Sequence, residues 1–284
     1  MLALDDARHH RPNIARESVP ALCSNKLVAG LPVACQSAIL RHAEPTPLET
    51  RQVLQERNAR LQNVYLIESG MASMVAKADE GRSTVEVQTL GVHDFVGLPL
   101  LHGVEVSPHR CIVRASGMAL RINARSFREL LAIQPEFQKG LLRYSHDVST
   151  HALQLIACST KHSLRQRLAR WLLVASSRLE ADRIDITHDG LSRAIAVRRA
   201  GVTTEMGRME QVGLIRRSRG AILIENRKEL EANACPCHRV LRSGSSNSPI
   251  STQAQSRCEA LHPVDISQTK RRSSLLIEPA WLQS

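Results

Sequence analysis

The sequence predicts an α+β protein in three parts: an antiparallel β domain, one long helix, and a small helical unit closed by a β-hairpin. Three observations carry this. Residues 51–124 break into short β-rich runs punctuated by glycines at 70, 81, 91, 97, 103 and 117, the pattern of an antiparallel sandwich or barrel. After Pro135, apolar residues recur at alternating steps of 4 and 3 over about three heptads. Residues 184–225 then place a short strand, two short helices and a hairpin in little sequence.

Taken in order, residues 1–24 are polar and irregular and read as a flexible arm. "NKLVAGLPVACQSAILRHAE" predicts a short helix over about 32–42. The runs "RQVLQERN", "NVYLIESGMASMVAKA", "STVEVQTLGV", "CIVRASG" and "MALRINA" predict strands, with the glycine-bounded apolar segment "GVHDFVGLPLLHG" between them. Together they make a domain over 25–135. The next helix, 136–160, carries the seam Phe137, Leu141, Tyr144, Val148, His151, Leu155 and Cys158. Such a seam is expected to pair two subunits along this helix, the alternative being a helix packed on the chain's own β domain. His151 on it reads as a packed or hydrogen-bonded histidine.

A second helical run over about 162–179 presents the stripe Leu164, Leu168, Trp171, Leu172 and Ala175 and opens a unit spanning 161–230. There "IDI" reads as a short strand and "THDGLSRAI" as a helix with Thr187 as N-cap. Gly213 sits where the following helix ends. "LIRRSRGAILIEN" is a hairpin about an Arg-Ser-Arg-Gly turn. Residues 231–284 form an extension expected to be disordered from about 244, where "GSSNSPISTQAQS" and the "KRRSS" patch at 270–274 cannot bury enough to fold alone.

Composition narrows the function. The 284 residues are 43% hydrophobic but hold only Phe 3, Trp 2 and Tyr 2, so the cores must be aliphatic. The net charge of +11 is uneven: residues 156–229 carry 15 basic and 8 acidic side chains. A basic domain on a more neutral one points to a polyanion, nucleic acid before membrane. Seven scattered cysteines are not a disulfide framework. "MLALDDARHHRPN" lacks the apolar core of a signal peptide, and no apolar run approaches a bilayer span. A reduced, cytoplasmic protein is the expectation.

The stretch "VRRAGVTTEMGRME", residues 197–210, concentrates the chemistry. Val202, Met206 and Met209 repeat as one buried helical face, while Ala200, Thr204, Gly207 and Arg208 fall opposite. Gly201 and Gly207 each cost a helix interior about 1 kcal/mol relative to alanine. Two short helices and a basic hairpin make a helix-turn-helix with a wing, whose second helix enters the major groove tip first. Arg198 and Arg199 at that tip can donate in pairs to guanine O6 and N7. Small residues at 200, 201 and 207 would let the helix approach DNA closely. Thr187, Thr203, Arg208, Arg216, Arg217 and Arg219 suit phosphates, which position the protein without specifying sequence. The competing reading is a helical hairpin with a solvated basic face, which leaves glycines, tip arginines and hairpin unrelated.

The order of parts resembles the Crp/Fnr family of bacterial transcription regulators over about residues 25–243. The matching segments are "THDGLSRAIAVRRAGVTTEMGRMEQVGLIRRSRGAILI", "HSLRQRLARWLL", "VYLIESGMASMVAKADEGRSTVEV" and "HDFVGLPLLHG". The resemblance implies an antiparallel, jelly-roll-like β-roll of the cyclic-nucleotide-binding type, a dimerisation helix and a winged helix-turn-helix. It puts the family's key arginine on Arg199 and its other base-reading positions on Ala200 and Thr204. It also implies a homodimer on double-stranded DNA, with RNA polymerase as a further partner and no membrane.

The departures from the family carry information. Gly97-Leu98 stands where the cyclic-AMP receptors have glycine and an acid, and His109-Arg110 where they have an Arg-Ser pair. Gly97, Leu98, His109 and Arg110 are therefore the candidate effector pocket, but not one for cyclic AMP. Ala196 occupies a turn position where glycine is common, and Arg198 the usual N-cap serine site. Cys23 and Cys35, with eleven residues between them and no close third cysteine, do not make the iron–sulfur group of the family's oxygen sensors. "CPCH" at 235–238 is a weak zinc signal on its own, so no metal and no cofactor are expected. A metal-dependent enzyme on the same roll, cupin-like, would need clustered histidines, and His93, His102 and His109 are dispersed. An interaction module without DNA binding is the other alternative, against which Arg199 and the basic wing argue.

Overall fold

The computed structural model describes residues 23–77 and 84–242. The tail beyond 242, with its basic patch, and most of the N-terminal arm lie outside the described residues.

Two short helices, α1 (Lys26–Ala29) and α2 (Val33–Leu40), precede the β-roll. One four-stranded antiparallel sheet joins β1 (Glu44–Leu48), β8 (Gly117–Asn123), β3 (Asn63–Ile67) and β6 (Phe95–Val96) in that order. The other joins β2 (Val53–Gln55), β7 (Arg110–Ala115), β4 (Met71–Lys77) and β5 (Thr84–Leu90). Their inner faces bury Tyr65, Ile67, Ala72, Leu90 and Val113 against each other. Strand β1 is absent from the sequence reading because Pro45 and Pro47 cannot donate to a ladder; it forms at the sheet edge, paired only with β8.

After β6, the helix α3 (Leu98–Leu101) follows Gly97. Helix α4 (Ala124–Ile133), also missing from the sequence reading, starts where the Asn123 side chain accepts from Ser126 N–H at 2.9 Å. Pro135 opens α5 (Pro135–Lys161), at the first helical position where its missing N–H costs nothing.

The first part of the seam, expected at a dimer contact, is covered by the chain's own β domain. Phe137, Leu141 and Tyr144 lie in the core of the chain's own β domain with Phe95 and Phe127. The Tyr144 ring is 5.2 Å from Phe95, and the Phe137 ring 6.0 Å from Phe127. Val148 packs at the margin of that core, His151 and Leu155 line a cavity below it, and Cys158 is buried beside Cys235. Heptad spacing marks which face of a helix is apolar, not whose surface covers it. The apolar side chains that α5 leaves exposed are Leu142, Leu153 and Ile156.

Helix α6 (Leu164–Leu179) begins two residues after α5 with a full capping box, Ser163 with Gln166. Then come β9 (Arg183–Ile184), α7 (His188–Ala194), α8 (Arg199–Gln211), β10 (Ile215–Ser218) and β11 (Ala221–Ile224). The three strands form one sheet in the order β10-β11-β9. Leu168, Leu172, Leu191, Val202, Met206 and Ile222 are buried together as its core. Burying each such side chain stabilises by about 1.5–3 kcal/mol. Two further helices, α9 (Arg227–Asn233) and α10 (Cys237–Arg242), return the chain to α5 and α6. Among the described residues no helix is long and apolar enough to cross a membrane.

Candidate nucleic-acid interface and effector cavity

Helices α7 and α8 are set by local chemistry. Thr187 Oγ1 accepts from Gly190 N–H at 3.0 Å and starts α7. The turn bends at Ala196, which adopts φ 53°, a left-handed conformation that costs an L-residue about 1–2 kcal/mol. Arg198 then caps α8 without a side-chain hydrogen bond, so its side chain and that of Arg199 remain free at the tip. Gly213, with φ 72°, terminates the helix as expected.

The helix α8 is two-faced. Val202, Met206 and Met209 are buried, whereas Arg199, Ala200, Thr203, Thr204 and Arg208 are exposed along one side. A Cβ at Gly201 would touch Leu164 of α6 at 3.4 Å, and one at Gly207 would lie 3.9 Å from the Arg217 guanidinium. Both are ordinary van der Waals distances, so neither glycine is required by its neighbours within the chain. Ala200 is exposed, and Gly201 and Gly207 are half-buried.

The cations sort into two kinds. Arg217 Nε and backbone N–H donate to the two carboxylate oxygens of Glu210, each at 2.7 Å, and Nη2 sits 2.5 Å from Oε2. This ties the wing to α8 and holds the Glu210 carboxyl below its usual range. Arg217, expected as a phosphate contact, therefore also braces the wing against α8. Arg216 pairs with Glu225 at 2.5 Å at the surface, and the exposed Arg208 reaches the buried Glu205 at 3.3 Å. Among the described residues Arg198, Arg199 and Arg219 have no carboxylate partner and are exposed. His188, which the sequence reading overlooked, lies 3.1 Å from Thr203 Oγ1 through Nδ1 and links the start of α7 to α8. Burial, then Arg217 and Arg199, lower its pKa and favour the neutral ring.

The β-roll holds a cavity of about 500 Å³ between its sheets, α3, α5 and α6. Gly97, at φ 108°, starts α3 where a Cβ would come within 2.6 Å of Val64. Leu98 and His109 line the cavity, but Arg110 does not: its Nε is 3.0 Å from Glu56, on the surface. Of the candidate effector-pocket residues, His109 and Arg110 are thereby divided between cavity and surface. Instead Arg170, Trp171 and Arg178 reach the cavity from α6. Trp171 Nε1 donates to Glu86 at 2.9 Å. These residues are far from the β-roll motifs in sequence, and only folding brings them there.

A second grouping lies at the junction of α5 and α6, where Cys158 and His162 meet Cys235 and Cys237. The Cys158 thiol is held well below its ordinary range, chiefly by a hydrogen bond from Cys235, whose own thiol is pushed up by the same sharing.

Comparisons agree on this architecture. The family model for a cyclic nucleotide-binding domain matches residues 45–134, and that for a Crp-like helix-turn-helix domain matches residues 166–233. No curated protein sequence matches significantly. Among solved structures, FixK2 from Bradyrhizobium japonicum is 14% identical with a TM-score of 0.59, over 68% of this chain and 98% of that one. The c-di-GMP responsive global regulator CLP from Xanthomonas campestris is 14% identical at 0.57, over 69% and 100%. A CRP/FNR-family transcriptional regulator from Thermus thermophilus is 20% identical at 0.55, over 71% and 100%. With a nucleotide-binding-type roll followed by a Crp-like helix-turn-helix on this shared fold, the chain belongs to the Crp/Fnr family of DNA-binding transcription regulators.

Proposed function

We propose that the protein works as a homodimer that reads a near-palindromic operator with α8 and does not answer to cyclic AMP. The observation that carries the reading is the pair of exposed arginines, Arg198 and Arg199, unpaired at the tip of a helix whose opposite face is core. Bidentate donors at a recognition-helix tip discriminate guanine by about 1–3 kcal/mol. Ala200 and Thr204 would read neighbouring bases, and Thr187, Thr203, Arg208, Arg216 and Arg219 would meet phosphates. The two-fold contact falls to Leu142, Leu153 and Ile156, the apolar residues that α5 exposes. It acts in the cytoplasm, where operator and RNA polymerase are available together.

Leu98 gives the cavity no carboxylate for a ribose hydroxyl, and Arg110 is engaged by Glu56. Glu86 is taken by Trp171 and Thr89. An effector in this cavity would instead touch α6 directly, through Arg170, Trp171 and Arg178. Selection of bound sequences from random DNA by the full chain, with and without cyclic AMP, tests the proposal. The expected result is half-sites about one helical turn, roughly 34 Å, apart, unchanged by the nucleotide. An asymmetric single site, or a selection that depends on cyclic AMP, overturns it.

A further inference from the structure

Residues distant in sequence converge where α5 gives way to α6. Cys158 and His162 are one helical turn apart, and so share a face of α5 at its end. Cys235 and Cys237, either side of Pro236, arrive from beyond the wing. All four donor atoms lie within 4.8 Å of one another. Cys158 Sγ is 3.5 Å from Cys235 Sγ, and His162 Nδ1 is 3.5 Å from Cys237 Sγ.

We propose that Cys158, His162, Cys235 and Cys237 form a mononuclear tetrahedral metal site, with zinc the ion this donor set favours. The spacing is the first argument. Bonds of about 2.3 Å to sulfur and about 2.0–2.1 Å to nitrogen give a tetrahedron with edges of about 3.5–3.8 Å. A disulfide needs its sulfurs at about 2.05 Å, and a multi-iron cluster would hold its ligands farther apart. Three thiolates and an imidazole are a structural-zinc set, closed to solvent: Cys158, Cys235 and Cys237 are all buried.

The surroundings supply the second argument. Gln154 Nε2 donates to Cys237 Sγ at 3.0 Å, the outer-sphere hydrogen bond that ligating sulfur attracts. Arg170 is buried, has no carboxylate partner among the described residues, and its Nε has no hydrogen-bond partner. A divalent ion with three thiolates and a neutral histidine carries one net negative charge, which the adjacent guanidinium balances.

The position gives the site a purpose. His162 is the C-cap of α5 and Ser163 the N-cap of α6, so the metal clamps the hinge between sensor and DNA-binding unit to the segment following that unit. It fixes how α8 is presented. This consequence for DNA rests on the proposed operator reading, whereas the metal content does not.

The test uses the full chain, purified without a metal-binding tag from zinc-replete cells under reducing conditions. Elemental analysis should find one zinc per chain, and exchange with cobalt(II) should give the strong visible absorption of a tetrahedral thiolate site. Cys235→Ser/Cys237→Ser should lose both, while Cys23→Ser keeps them. Should the double variant fail to fold, a mercurial titration of the native chain should release one zinc as the ligating thiols react. Operator affinity of the metal-free chain should drop by about 5–150-fold, the ordinary range of coupling between sites. A metal-free native chain, a bound metal that survives the double substitution, or acid-labile sulfide in the protein would each overturn the site. One zinc per chain with unchanged operator affinity would keep the site and overturn only its role at the hinge.

Discussion

Arg178 Nε lies 3.0 Å from Asp94 Oδ2, and both side chains are almost wholly buried, at 3% and 2% exposure. The pair joins α6 to the β-roll at the point where the backbones nearly touch: a Cβ on Gly91 would fall 2.4 Å from Arg178 O. Asp94 also accepts from Tyr144 Oη at 3.1 Å and from Gly91 N–H at 2.9 Å, so one carboxylate gathers the sheet, α5 and α6. Removing one partner of a buried ion pair leaves an uncompensated charge and costs about 3–5 kcal/mol. Asp94→Ala should lose that much in urea unfolding, and Asp94→Ala with Arg178→Met should recover a large part. If the double variant is no more stable than the single one, packing rather than charge holds this junction.

Three arginines of the DNA-binding unit should fail in three ways. Arg199→Ala should flatten preference at one symmetric base pair per half-site, by about 1–3 kcal/mol, with nonspecific affinity less affected. Arg219→Ala, at the exposed wing turn, should weaken all DNA alike and lower the salt slope by about 1. Arg217→Ala should instead lower the melting temperature, because Glu210 loses its partner. Titrations on the selected operator and on scrambled DNA across salt concentrations, beside thermal melts, separate these outcomes. An Arg199→Ala chain that keeps every base preference makes the tip arginines phosphate clamps.

The dimer face can be read by sedimentation. Leu153→Glu/Ile156→Glu should yield folded monomers, since Leu153 and Ile156 are 69% and 63% exposed in the single chain. Val148→Glu should destabilise the β domain, whose core Val148 adjoins, before it affects association. Dimers that survive the double substitution would place the contact elsewhere.

Ala196 holds φ 53° without being glycine. Relieving that conformation returns about 1–2 kcal/mol, against about 0.4–1 kcal/mol lost to the greater freedom of glycine in the unfolded chain. Ala196→Gly should therefore stabilise by roughly 0.5–1 kcal/mol, seen as a higher denaturation midpoint at constant slope. A loss of stability would mean that the alanine methyl packs in the turn.

What depends on neighbours along the chain was legible in the residues alone. Thr187 as a cap, Gly213 as a stop, the Val202–Met206–Met209 face and the hairpin about Arg219 are all local chemistry, and each stands in the structure as read. Strand β1 was illegible because its prolines argue against a strand until an edge is available. Which surface covers an apolar face and which group neutralises a charge followed from the packing of elements remote in the chain. Whether Phe137 and Tyr144 met a second chain or Phe95 depended on where the β-roll packed. That Arg217 meets Glu210 depended on the angle of the wing. Cys158 and Cys235 stand 77 residues apart along the chain, and no periodicity or spacing rule reaches that far. Their meeting is a property of packed helices, because side chains remote in sequence acquire a common environment only when the elements that carry them are fixed in space.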